Sequence, residues 1–188
     1  MGKDFVTSLA APVFSHNAMP EPRSAWPRPT RYLYESPNPE SNDRRAISLT
    51  FSTGFDDHKR SLLEVTVDAV NRLLRLPQDW DANGAAPVSE LAAITAIEWL
   101  DRLAFSDTAV PHVVPLKSGG LQLEWVFDGQ SFEVEVGPDG DVGVLGADAA
   151  GNPIIEGEYP APDGTVFVSD ARKFLNSMFG SFDRAAWR

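Results

Sequence analysis

Residues 79–90, DWDANGAAPVSE, fit the pattern D-x-[DN]-x-[DN]-G-x5-E of an EF-hand calcium loop. In that reading Asp79, Asp81 and Asn83 supply side-chain oxygens, Ala85 its carbonyl and Glu90 a bidentate carboxylate to Ca2+. Gly84 makes the sharp turn. Three details oppose it. Ala86 stands where a branched apolar residue is usual, Pro87 follows it, and Pro77 stops the preceding helix before the loop begins. The same residues also read as a helix–helix turn. There Trp80 plugs the core, Asp81 binds backbone amides, Gly84 takes positive φ, and Pro87 precedes Ser89, which caps the next helix. The turn is the expected reading.

The second place for chemistry is a hairpin. LQLEWVF (121–127) and QSFEVEV (130–136) flank Asp128-Gly129, a two-residue hairpin signal. Pairing outward from the turn sets Trp125 opposite Phe132, Leu123 opposite Val134, and Leu121 opposite Val136. A one-residue slip would expose all six, so the register is specified. It leaves Gln122, Glu124 and Val126 outside, beside Ser131, Glu133 and Glu135, with Glu124 directly opposite Glu133. Like charges in that position repel. Solvent, a nearby cation or a basic partner must offset the repulsion. Glu124, Glu133 and Glu135 are therefore candidate partner-binding residues.

Other candidates are weaker. His112 stands at an expected strand start, and His16 and His58 have no metal-ligand spacing. Gly137, Gly140, Gly143 and Gly146 recur every third residue without a phosphate-loop pattern, and read as turn glycines plus one strand glycine. No nucleophile-elbow, P-loop or zincin motif occurs. A hydrolase built on His112 with a carboxylate and a hydroxyl is an alternative that no local motif supports.

The elements that must position these residues follow from periodicity. Ile47, Leu49 and Phe51 alternate with polar residues and predict a strand. Residues 61–76 carry Leu62, Val65, Ala69, Leu73 and Leu76 on one helical stripe, widened by Leu63, Val70 and Leu74. A second helix after Pro87 repeats Leu91, Ile94, Ile97, Leu100 and Leu103. Residues 112–116, the hairpin and 142–145 predict a meander. NPIIEGEY and TVFVS predict a further strand pair, and DARKFLNSMF a short C-terminal helix. The expected fold is α+β: an antiparallel β-meander with two main helices packed on one face. A Pro-rich arm (1–45) precedes a single acidic domain (46–188).

Composition limits the function. The chain has 188 residues, 16 Lys and Arg against 27 Asp and Glu, and no cysteine. Disulfides and Cys-based zinc sites are excluded. No apolar run approaches a membrane span, and no signal peptide is evident, so a cytoplasmic protein without membrane attachment is expected. Direct nucleic-acid binding is not expected of so acidic a chain. Residues 1–60 hold eight basic and seven acidic residues, whereas 61–188 hold eight and twenty. The arm carries seven of the fifteen prolines, between Pro12 and Pro39, and exposed rings would be costly in water. Trp26, Tyr32 and Tyr34 are therefore expected to pack on the domain or on a partner.

The segment LPQDWDANGAAPVS (76–89), the helix after it, and PHVVPLKSGGLQLEWVFDGQSFEVEVGPDGDV (111–142) resemble a group of small bacterial proteins. That group combines an LPxxWDGxGAxPxS segment, a helix, a P-x-V-x-P stretch and a GGxxLEW hairpin. The resemblance covers roughly residues 70–145. It implies no activity. It does imply that 76–89 is a structural turn, because the group's pattern has Gly where Ala82 stands and does not require Asp79, Asn83 or Glu90.

These observations favour a non-enzymatic interaction protein whose partner is basic, of the antitoxin, immunity-protein or phage-defence-subunit kind. A second copy of the chain is an alternative partner.

Overall fold

The structure, a computed structural model, describes residues 30–35, 46–51, 54–159 and 164–179. Strands β1 (Thr30–Glu35) and β2 (Ala46–Phe51) pair antiparallel as a separate two-stranded sheet. Part of the expected arm is thus a strand, with Tyr32 opposite Leu49 and Tyr34 opposite Ile47. Helices α1 (Asp57–Leu73) and α2 (Glu90–Leu103) follow. Then come β3 (His112–Pro115), β4 (Leu121–Phe127), β5 (Gln130–Val136), β6 (Val142–Ala147) and β7 (Pro153–Tyr159), and finally α3 (Gly164–Phe179). The five strands β3 to β7 form one antiparallel meander in sequence order. The α+β class and the meander expected from the periodicity are observed.

Local chemistry sets the helix limits. The Asp56 carboxylate accepts the Lys59 amide at 2.7 Å, so α1 starts four residues before the expected Ser61. It stops at Leu73, and i→i+3 bonds from Arg75 and Leu76 close the last turn. Pro77 disfavours helical backbone at Leu76, which removes the three residues expected at that end. Ser89 caps α2 as expected, its Oγ accepting from the Ala92 amide at 3.4 Å.

Two stripe residues are misplaced by the sequence reading. Val65 is 48% exposed and Leu91 51% exposed. The buried face of α1 is Leu62, Leu63, Thr66, Val67 and Val70; that of α2 is Ala92, Ala93, Ala96, Ile97, Trp99, Leu100 and Leu103. Small alanines let α2 sit deep between α1, α3 and strands β4 and β5, so the α2 face rotates toward Trp99 and away from Leu91.

The C-terminal helix is longer than expected. Residues 165–169, TVFVS, are helical rather than the second half of a strand pair. Val168, Ala171, Leu175 and Met178 keep helical spacing and meet the core, and this burial overrides the strand preference of β-branched residues. The strand NPIIEGEY instead pairs with β6. Phe174 packs on Phe132 of β5 and Phe179 on Phe127 of β4, and α3 also meets β6 and β7, on the sheet face that α2 covers. One buried cluster runs from Ile47 of β2 to Met178 of α3. Asn71 of α1 ties β2 to it: Oδ1 accepts from the Ile47 amide at 2.7 Å, and Nδ2 donates to the Ile47 carbonyl at 2.9 Å.

Candidate functional site

The 79–90 loop is the sharpest sequence pattern, and its polar atoms are turned inward. Asp79 Oδ1 accepts from the Gly84 amide at 2.6 Å. Asp81 Oδ1 accepts from the Asn83 amide at 2.8 Å and the Ala85 amide at 3.0 Å. The Ala85 carbonyl accepts both the Asp79 amide, at 2.7 Å, and Gln78 Nε2, at 3.1 Å. A carbonyl oxygen has two lone pairs, so these donors use the capacity a cation would need. Among the described residues no three His, Asp or Glu side chains gather as a metal site requires. Gly84 takes φ +84° as expected, and Asp79 and Ala82 also adopt positive φ, +63° and +54°. Trp80 does not plug the core. It is half-buried and donates its indole N–H to the Ala86 carbonyl at 3.1 Å, while Ala85 and Val88 are the residues that lie fully buried.

The loop joins two distant turns. Ala86 donates to the Lys117 carbonyl at 2.9 Å and Ser89 to the Gly119 carbonyl at 2.8 Å. Ser89 Oγ donates to the Pro138 carbonyl at 2.7 Å. Gly119, at φ +93°, lets the chain pass Pro87, since a Cβ there would lie 2.8 Å from the Pro87 carbonyl oxygen. The segments 76–89, 117–120 and 137–140 therefore form one continuous knot at one end of the sheet. Burial pushes the Asp81 carboxyl up, but the Ala85 and Asn83 amides and the Lys117 charge outweigh it and hold the carboxyl below the usual Asp range.

The outer face of the sheet is the opposite case. The hairpin register is the expected one, with Trp125↔Phe132, Leu123↔Val134 and Leu121↔Val136 inside. Asp128 and Gly129 both have positive φ, +48° and +78°, as a primed hairpin turn needs. Glu124 lies opposite Glu133 and Gln122 opposite Glu135. The neighbouring strands extend these rows. One runs His112–Glu124–Glu133–Leu145–Glu156; the next runs Val114–Gln122–Glu135–Gly143–Glu158. Gln122 Nε2 donates to Glu133 Oε2 at 2.9 Å. A shallow concavity of ≈ 670 Å³ opens over β5, β6 and β7, with Glu133, Glu135, Glu156 and Glu158 on its walls.

Glu156 and Glu158 were missed in the sequence reading, because NPIIEGEY was paired with TVFVS instead of with β6. One signal was available. Residues 118–171 contain five Glu and six Asp and no Lys or Arg. All five Glu lie on this one face. Of the Asp, four fall in or beside the turns between strands, one in α3, and Asp163 outside the described residues. Glu is disfavoured in strands, so the placement opposes local propensity.

His112 Nδ1 lies 3.4 Å from Glu124 Oε2. The histidine is 78% exposed and lines neither the outer-face concavity nor the smaller one between β2 and α1. Of the aromatic candidates, Tyr32 and Tyr34 lie on β1, and Trp26 lies outside the described residues. No helix among the described residues is long and apolar enough to cross a membrane.

No family model matches the chain, and neither a curated protein nor a solved structure matches it.

Proposed function

We propose that this chain is a protein-binding domain that receives a basic partner on the outer face of its five-stranded sheet. The observation that carries this reading is the collection of every glutamate between residues 118 and 171 on one face, in a stretch with no Lys or Arg. Carboxylates in that arrangement accept hydrogen bonds and attract ammonium and guanidinium groups. They also steer a basic protein toward the face before contact and repel acidic competitors. Val126, Leu145 and Ile154 are exposed near the glutamates, at 77%, 39% and 60%, and offer apolar area that a partner would dehydrate. Trp26, Tyr32 and Tyr34 of the N-terminal region would add aromatic anchors. In this role the domain neutralises or accompanies its partner, as an antitoxin, an immunity protein or a defence-complex subunit does.

The test is a pull-down of the tagged full chain from its host's lysate at low and high salt, beside Glu124→Lys/Glu133→Lys/Glu135→Lys. A stoichiometric basic protein that is released by salt and lost in the triple variant supports the reading. Unchanged capture by a triple variant with wild-type melting behaviour sinks it.

A further inference from the structure

Gly143 and Gly146 both lie within β6, so β6 has two strand glycines rather than the one expected, and only one is required by packing. A Cβ at Gly146 would press into Phe174 and Ile155 at 2.6–2.9 Å. A Cβ at Gly143 would meet nothing within 4 Å, and the residue does not adopt positive φ. Neither a close neighbour nor a left-handed backbone therefore requires glycine at 143, and a strand interior loses stability by having one. With no side chain there, the sheet surface over Gly143 is open, leaving room for another chain to approach the backbone closely.

Its surroundings define that space. Gly143 sits in the concavity on the outer face, between Glu135 on one neighbouring strand and Glu158 on the other. Strands are spaced by about 4.8 Å, so the two glutamate backbones stand roughly 10 Å apart across an empty central position. That gap accepts a planar cation between two carboxylates. Leu145, two residues along the same strand face, lies where the methylene stem of a long cationic side chain would run.

We propose that the notch over Gly143 is the anchor site for an arginine side chain of the partner protein, held between Glu135 and Glu158 with its stem along Leu145. The inference rests on the outer-face reading and narrows it to one position and one side chain. Arginine is favoured over lysine because its fork of donors can bond both carboxylates at once.

The test uses the full chain and a blocked nonapeptide with one central arginine among lysine and glycine, measured by calorimetry at low salt. Three partners are compared: the peptide, its lysine analogue and its citrulline analogue. Gly143→Val fills the notch, keeps every charge and suits a strand. The expected result is a melting temperature equal to or above wild type and binding at least tenfold weaker. Citrulline should cost wild type about as much and cost Gly143→Val nothing further, the coupling expected of two groups in contact. Three outcomes overturn the notch: Gly143→Val binding as tightly as wild type, citrulline binding as well as arginine, or no saturable binding to wild type up to about 1 mM. Glu135→Gln/Glu158→Gln separates the two levels. If it weakens binding while Gly143→Val does not, the notch falls and the acidic face stands. If neither it nor Glu124→Lys/Glu133→Lys changes binding, the acidic face falls as well. Self-association of wild type that disappears in Gly143→Val would assign the notch to a second copy and overturn its assignment to a partner.

Discussion

The 79–89 loop and the outer face of the sheet are both acidic, and they use their carboxylates in opposite ways. In the loop, Asp79 and Asp81 accept amides of their own turn, and Ser89 serves both α2 and Pro138. On the sheet, five glutamates stand on one side, and the bonds seen there are a Gln122–Glu133 hydrogen bond and a His112–Glu124 contact at 3.4 Å. Aspartate reaches only its neighbouring backbone, so it suits turns. Glutamate on a strand projects away from the sheet, where few of the described residues meet it. The more recognisable pattern is thus the one that holds the fold, and the less recognisable one is the one the proposed function assigns to a partner.

Substitutions in the knot should move stability, and those on the face should move binding. The largest effect is expected at Gly120, where a Cβ would run into the Val136 carbonyl oxygen. Gly120→Ala should destabilise by about 3 kcal/mol, read from urea unfolding. Next, Ser89→Ala removes the α2 cap and the bond to Pro138, and should cost about 1–2 kcal/mol in the same measurement. Ala82→Gly should act in the other direction. Ala82 holds φ +54°, and glycine there should stabilise by about 1 kcal/mol.

Acid should loosen the turns first. The Asp148 carboxyl is held below the usual Asp range by the Asn152 side chain and then by the Asn152, Ala150 and Gly151 amides, as Asp81 is held in its own turn. A lowered folded value means the stabilisation is present above the ordinary Asp value near 3.8 and is lost as pH falls through the lower folded value. Melting temperature should therefore drop below about pH 4, and Asp81→Asn should show a shallower drop. A parallel drop in both proteins would count against this role for Asp81. The smallest stability effect belongs to the face. Glu133→Gln relieves repulsion with Glu124 but leaves Gln122 a neutral, weaker acceptor, so it should change stability by only a few tenths of a kcal/mol, while weakening partner capture.

Elements with a local cause were legible from the chain. The Asp128-Gly129 turn and its six apolar partners specify one register, because a slip would expose all of them. The Ser89 cap and the Gly84 turn follow from the residue types themselves. Asp81 was placed correctly against amides for the same reason. Where the sequence reading missed, the deciding partner was remote. Residues 165–169 are helical because the α3 stripe has a sheet face to cover, despite their β-branched content.

Alternation along one strand states which residues share a face, and it did so for Glu124, Glu133 and Glu135 from the chain alone. Which strand lies beside which depends on pairing between distant segments. Only β6–β7 pairing brought Glu156 and Glu158 onto that face, and only the two flanking strands turned Gly143 from one glycine in a periodic series into a gap between Glu135 and Glu158. A side chain's direction is a local property of the backbone, whereas its neighbours across a sheet are set by which burial of the whole chain costs least.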